Sequence, residues 1–320
     1  MFLRILKWIL ITVVVLVVAL VVLVQLRWNR TFTAPMPALA ATTDSAAIAQ
    51  GRYLAYSAAG CAYCHLPKSE WPRLDAGEQP PLSGNHVFPL PFAEIHSPNL
   101  TPDSTTGIGR RSDGEIARIL RHGVRADNRA AFPFMEFQNL SDADVAAVLS
   151  FLRSQPPVAN DVPAIRYNLM GKALMAFMIK PESPAAPPPA VSPSGPTVER
   201  GEYLANSVSS CVSCHTNRNN TGQLIGAKFS GGQVMDIEDD PTHVYVTPNL
   251  TPDPETGHIY SWSEDDFVAR FGKGKLLPAA LMPWGAFSRM TEDDVRAIYR
   301  YLRSLPPTVN ATGEVYRSKE

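Results

Sequence analysis

Cysteine is scarce in this 320-residue chain: four occur, all inside two five-residue runs, so no thiol is left over for the disulfides common in exported proteins. The formal net charge is -1, which gives no support to nucleic-acid binding, where a basic footprint is expected. No strong alternation of apolar and polar residues appears, so the expected fold class is all-α. A small-residue cleavage site close behind the N-terminal apolar run is also missing. The nearest A-x-A candidate, Ala38-Leu39-Ala40, lies well downstream.

What is present is a repeated pentapeptide. Cys61-Ala62-Tyr63-Cys64-His65 returns 150 residues later as Cys211-Val212-Ser213-Cys214-His215. A C-x-x-C-H run reads as a c-type haem attachment site. Each thiol can add to one porphyrin vinyl group, two intervening residues set the sulfur separation, and the next residue places an imidazole under the iron. Two covalently bound haem c groups are therefore expected, on Cys61 and Cys64 with His65, and on Cys211 and Cys214 with His215. A four-cysteine zinc site would bring its second pair within roughly 15 to 20 residues, and a thioredoxin-type motif needs no following histidine.

Trp8 to Leu26 is an uncharged run of nineteen residues. At ~1.5 Å per residue it crosses the ~30 Å hydrocarbon layer as a helix. A signal peptide has a shorter apolar core, of about 7 to 15 residues, so residues 1–30 are expected to be an uncleaved single-pass anchor. Basic residues do not decide its orientation, since Arg4 and Lys7 are matched by Arg27 and Arg30. Covalent haem attachment does, because it belongs to the outer face of an energy-transducing membrane. The expectation is a bacterial inner membrane with the haem domains in the periplasm.

The repeat extends beyond the cysteines. At the same offset Gly51-Arg52-Tyr53-Leu54-Ala55 matches Gly201-Glu202-Tyr203-Leu204-Ala205, and Pro98-Asn99-Leu100-Thr101-Pro102-Asp103 matches Pro248 to Asp253. Two domains follow, 45–160 and 197–308, separated by an apolar segment and Pro-rich linker, 161–196, and followed by a tail, 309–320. Pro181 to Pro196 reads as a semi-rigid spacer. Thr31 to Thr43, with Pro35 and Pro37, reads as a stalk lifting the first domain off the membrane.

Helix starts are marked by Ser112, Ser141, Ser263 and Thr291, each with a carboxylate three residues on, and Pro-Pro pairs stop the helices after Ser141 and Thr291. The acidic triplets at 264–266 and 292–294 then sit at helix N-termini. Asp236 to Asp240 precedes no clear helix and is the candidate contact for a basic partner.

An iron that transfers electrons without binding small molecules needs a sixth ligand, often methionine. Met135 and Met282 lie on the loops before the last helix of each copy and are the candidates; the second loop is longer by three residues. His86, His96, His122, His243 and His258 are the alternatives, but none recurs in both copies. Met170, Met175 and Met178 read as packing or membrane-surface contacts. Asn99 and Asn249 are expected to bond haem propionates or shield the haem edge.

With G-x-Y-L-A, C-x-x-C-H, P-N-L-T-P-D and a distal Met in each copy, the chain resembles the membrane-anchored, multi-domain c-type cytochromes of bacteria, including cytochrome subunits of periplasmic dehydrogenases. The resemblance covers about residues 48–157 and 198–307. It implies tandem class I cytochrome c folds, with His65 and Met135 on one iron and His215 and Met282 on the other. Dehydrogenase-linked members often carry three haems, whereas two attachment motifs occur here, and Arg110-Arg111 stands where the second copy has Trp262. The implied function is a membrane-tethered dihaem electron carrier, rather than an enzyme, between a dehydrogenase or quinol-oxidising complex and a downstream cytochrome or terminal oxidase of a respiratory chain. A peroxidase-like dihaem enzyme and a fixed haem subunit of a respiratory complex are the competing readings.

Overall fold

Each helix start expected from a hydroxyl cap is present in the computed structural model, which describes all residues except 220–221, 238–239, 278–279 and 320. Ser112 and Ser263 open helices Asp113–His122 and Glu264–Gly272 by reciprocal capping. The serine hydroxyl accepts from the backbone N–H of Glu115 or Asp266, and that residue's carboxylate accepts from the serine N–H. Ser141 and Thr291 cap the longer closing helices Asp142–Ser154 and Glu292–Ser304, which end just before the Pro-Pro pairs.

The opening helices Ser45–Tyr53 and Val198–Tyr203 pack across these closing helices. Gly51 and Gly201 sit at the two crossings. A Cβ on either would collide with the backbone at Ala147 or Ala297 and come within 2.8 Å of Phe151 Cβ or 2.7 Å of Tyr301 Cβ. Only glycine allows that approach. Past each crossing the chain runs through a π-helical turn, Leu54–Ala58 or Leu204–Val208, and a left-handed residue, Gly60 or Ser210, into the short helices Cys61–Cys64 and Cys211–Cys214. π-Turns of this kind mark functional segments.

The all-α expectation needs correction, because helices are joined by two three-stranded antiparallel sheets. One comprises Val87–Leu90, Ala93–His96 and Arg166–Tyr167, the other Val234–Ile237, Asp240–Val246 and Tyr316–Ser318. Most of these strands have four residues or fewer, too short for a period of two to stand out. The acidic run lies at the second hairpin. Asp236 pairs with Lys319 at 2.6 Å and Asp240 accepts from the Thr242 and Tyr316 hydroxyls, so these charges are engaged within the chain; Glu238 and Asp239 lie outside the described residues. Of the acidic triplets, Glu264 binds Arg296 and Arg300, and Asp294 binds Arg200.

The two repeats meet through contacts that exchange under the offset of 150. Tyr53 OH donates to Asp294 Oδ2 at 2.6 Å, and Tyr203 OH donates to Asp144 Oδ2 at 2.7 Å. The Ser141 and Thr291 N–H groups donate to the same two phenols, at 2.8 and 3.3 Å. Reciprocity of this kind is what a two-fold interface produces. Burial, with the Asp294 or Asp144 carboxylate alongside, holds both phenols above their usual ionisation range, so they remain donors.

Both segments read as spacers are instead laid onto the folded repeats, 31–43 onto the first and the Pro-rich segment onto both. Phe32 N donates to Asn128 O, Ala41 N to Asp113 and Thr42 N to the Ser150 hydroxyl, so 31–43 is a strap and not a stalk. The N–H groups of Asp142 and Ala143 donate to the carbonyls of Pro189 and Ala190. Prolines leave carbonyls free and carry no N–H, which suits such segments to accepting from helix N-termini.

Helix Phe2–Arg27 is long and apolar enough to cross a membrane, with a mean hydropathy of 3.3 in its most apolar stretch. Its C-terminal end packs against helix Leu169–Phe177. Arg27 Nε donates to Ala176 O, Arg30 to Ile179 O, and Lys172 Nζ to Gln25 Oε1. Met175 is buried there, while Leu169, Met170, Phe177 and Met178 remain exposed.

Candidate functional site

One continuous cavity of about 1340 Å³ runs through the molecule, and all eight predicted site residues line it: Cys61, Cys64, His65 and Met135 from the first repeat, Cys211, Cys214, His215 and Met282 from the second. Its walls are mostly apolar, with Ile95, Ile116, Val148 and Leu152 on one side and Ile259, Phe267, Ile298 and Leu302 on the other.

The repeated P-N-L-T-P-D loop explains how each histidine is aimed. His65 Nδ1 lies 3.1 Å from Pro98 O, and His215 Nδ1 lies 3.2 Å from Pro248 O. A carbonyl only accepts, so Nδ1 carries the proton and Nε2 presents its lone pair. Burial pushes both imidazoles down to about 4, the Pro carbonyl opposing that only in part. They are neutral at physiological pH, as a metal ligand must be.

Asn99 and Asn249 correct the propionate expectation. Asn99 Nδ2 donates to Val158 O at 2.8 Å and to Thr106 Oγ1, while Oδ1 accepts from the N–H and hydroxyl of Thr101. Asn249 repeats this set with Thr308, Thr256 and Thr251. Both amides are spent on holding the loop, and through it the Pro carbonyl.

The Met135 loop is walled by aromatic rings, with Phe88 to Phe134 at 4.5 Å and Phe132 to Phe134 at 4.7 Å between centroids. The three extra residues of the second loop accompany a short helix, Trp284–Phe287, just after Met282. Met290 is core, as its match to Leu140 implied. Met170, Met175 and Met178 do not line the cavity. Neither do His86, His122 and His243; His96 and His258 do. Both His96 ring nitrogens are engaged, by Asn85 and Glu94.

Met235 was missed by sequence reasoning, and it also lines the cavity. It belongs to the strand Val234–Ile237, whose hairpin returns to Pro248 on the side of His215 Nδ1. Pro98 and Pro248 were missed in their present role as well. The offset of 150 was the available signal, since it carried the whole loop.

The donor set fits haem c. The four cysteines are unpaired, and burial, with the neighbouring Cys64 or Cys214 adding to it, pushes the Cys61 and Cys211 thiols up to about 12. Among the described residues no three His, Cys, Asp or Glu side chains converge as a metal-ion site. A large apolar cleft with thiols on its rim and one oriented imidazole per repeat accommodates a planar macrocycle instead.

Residues 196–302 match the family described as cytochrome C oxidase, cbb3-type, subunit III. The chain carries a c-type cytochrome domain. A domain of this family binds haem c covalently. Over the longer chain, the cytochrome c subunit of alcohol dehydrogenase (quinone) from Gluconobacter oxydans is 31% identical across 82% of this chain and 55% of its own length. The gluconate 2-dehydrogenase cytochrome c subunit of Pantoea cypripedii is 30% identical across 82% of this chain and 60% of its own. A diheme cytochrome c-type protein of Cereibacter sphaeroides is 27% identical across 78% of this chain and 83% of its own. The chain thus spans a little over half the length of these two dehydrogenase subunits.

Proposed function

We propose that this protein is a membrane-tethered dihaem cytochrome c that moves single electrons between a periplasmic dehydrogenase or quinol-oxidising complex and a downstream cytochrome or oxidase. The observation that carries this reading is the single apolar cavity on which both C-x-x-C-H segments and both candidate methionines open. Domain 45–160 would hold one haem through Cys61 and Cys64, with His65 and Met135 as ligands to its iron. Domain 197–308 would hold the other through Cys211 and Cys214, with His215 and Met282. Haem c, when bound, supplies an iron that takes up and releases one electron at a time. Pro98 and Pro248 keep each imidazole in its ligating tautomer, and the apolar walls exclude water, which favours a methionine-ligated, raised potential.

Helix Phe2–Arg27 is the tether, and the exposed apolar side chains of Leu169–Phe177, beside the end of that helix, rest on the bilayer surface. Anchoring raises the effective concentration near membrane partners.

The test is spectroelectrochemistry of Met135→Ala and Met282→Ala in detergent. Each is expected to remove one Met-to-iron charge-transfer signal and to lower one potential. Retention of both signals in Met282→Ala would overturn the assignment of Met282. A second reading, a fixed haem subunit, is favoured by the names of the relatives, which are subunits of dehydrogenases. Purification in mild detergent separates the two: a stoichiometric large partner supports the subunit, and its absence the carrier.

A further inference from the structure

The residue that follows Met135 does not bond within its own repeat. Glu136 accepts a hydrogen bond from the hydroxyl of Ser213, the third residue of the other repeat's C-x-x-C-H segment. Its second carboxylate oxygen lies 3.4 Å from Arg218 Nη2, three residues past His215. Arg218 Nε in turn donates to the Ser213 carbonyl at 3.2 Å, so one guanidinium ties the attachment segment to the methionine loop.

The converse contact exists too. Behind Met282, Gly285 lies against the Tyr63 hydroxyl and the Asp75 carboxylate, leaving no room for a Cβ. Tyr63 is the third residue of the first C-x-x-C-H segment, at the position of Ser213 after the offset of 150. Arg289 donates to both Gly285 O and, at 2.7 Å, Asp75 O, joining the second methionine loop to the first repeat. Helix Trp284–Phe287 also packs on Leu54–Ala58, the turn that feeds Cys61.

We propose that each methionine loop is held in register by the haem-attachment segment of the opposite repeat, which makes Glu136 a positioning residue for Met135. This rests on the ligand assignment above. The physical need is local: residues 131–140 form only turns, so their own backbone does not fix the thioether. Sulfur is also the weaker of the two axial bonds, and a loop free to move would release it. Cross-clamping makes occupancy of each distal position depend on the integrity of the other site.

The experiment uses the full chain in detergent, in a Met282→His background, where the remaining Met-to-iron band reports the first site alone. Glu136→Ala, and separately Arg218→Ala, are expected to raise the Met-dissociated fraction of the first haem roughly fivefold, the effect of losing about 1 kcal/mol of coupling. Helical content is expected to stay unchanged, and Glu136→Gln, which keeps an acceptor for Ser213, to recover part of the band. A band indifferent to both alanine variants would overturn the proposal. Its absence already in Met282→His would overturn the ligand assignment and this proposal with it.

Discussion

Gly201→Ala is expected to destabilise the protein although alanine is the better helix former. The structure places the new Cβ against Ala297 O, 2.5 Å from Ala297 C and 2.7 Å from Tyr301 Cβ. These are backbone and first-side-chain atoms of the closing helix, which cannot rotate aside, so the two helices must separate. Overpacking of this kind costs about 3 kcal/mol, against a helix-propensity gain of about 1, leaving a net loss of about 2 kcal/mol. If the two repeats unfold as one body, that lowers Tm by roughly 4–8 °C. Circular dichroism of the holoprotein measures it, and in-gel haem staining is expected to show reduced attachment at Cys211 and Cys214. Gly272→Ala is the control, since a Cβ there meets nothing within 4 Å. Gly201→Ala with an unchanged or raised Tm would refute the close-crossing argument.

Tyr203→Phe is expected to cost about 1.5–3 kcal/mol, more than Tyr53→Phe, because it leaves buried Asp144 with Gln50 as its remaining side-chain partner, while Asp294 keeps Arg200; chemical denaturation of both variants and their double mutant measures the difference. Asn99→Ala should lower stability by about 2 kcal/mol by stripping partners from Val158 O and Thr101, whereas a propionate role would shift the first haem's potential with stability intact. Deleting residues 1–30 should weaken but not abolish sedimentation with phosphatidylglycerol vesicles. Adding Met170→Asp and Phe177→Asp should abolish it.

Much of the candidate site was legible because its chemistry is local. C-x-x-C-H places both thiols and the imidazole within five residues, and a hydroxyl cap acts on an N–H three positions on. The sheets were not legible, since all but one of their strands have two to four residues and carry too little period. Nor was the strap at 31–43, because proline-rich composition predicts an extended backbone and not what that backbone lies against.

By itself the sequence determined the attachment motifs, their duplication, the capped helices and the apolar N-terminal run, all of which are short-range patterns or faithful repeats. Tertiary structure alone decided that Pro98 and Pro248 orient the imidazoles, that Asn99 and Asn249 brace their loops, and that the repeats exchange Tyr53–Asp294 for Tyr203–Asp144. Partners 33, 59 and 241 positions apart leave no local signature. The first pair meets when each repeat folds around its own helix crossing, and the other two only when the repeats come face to face.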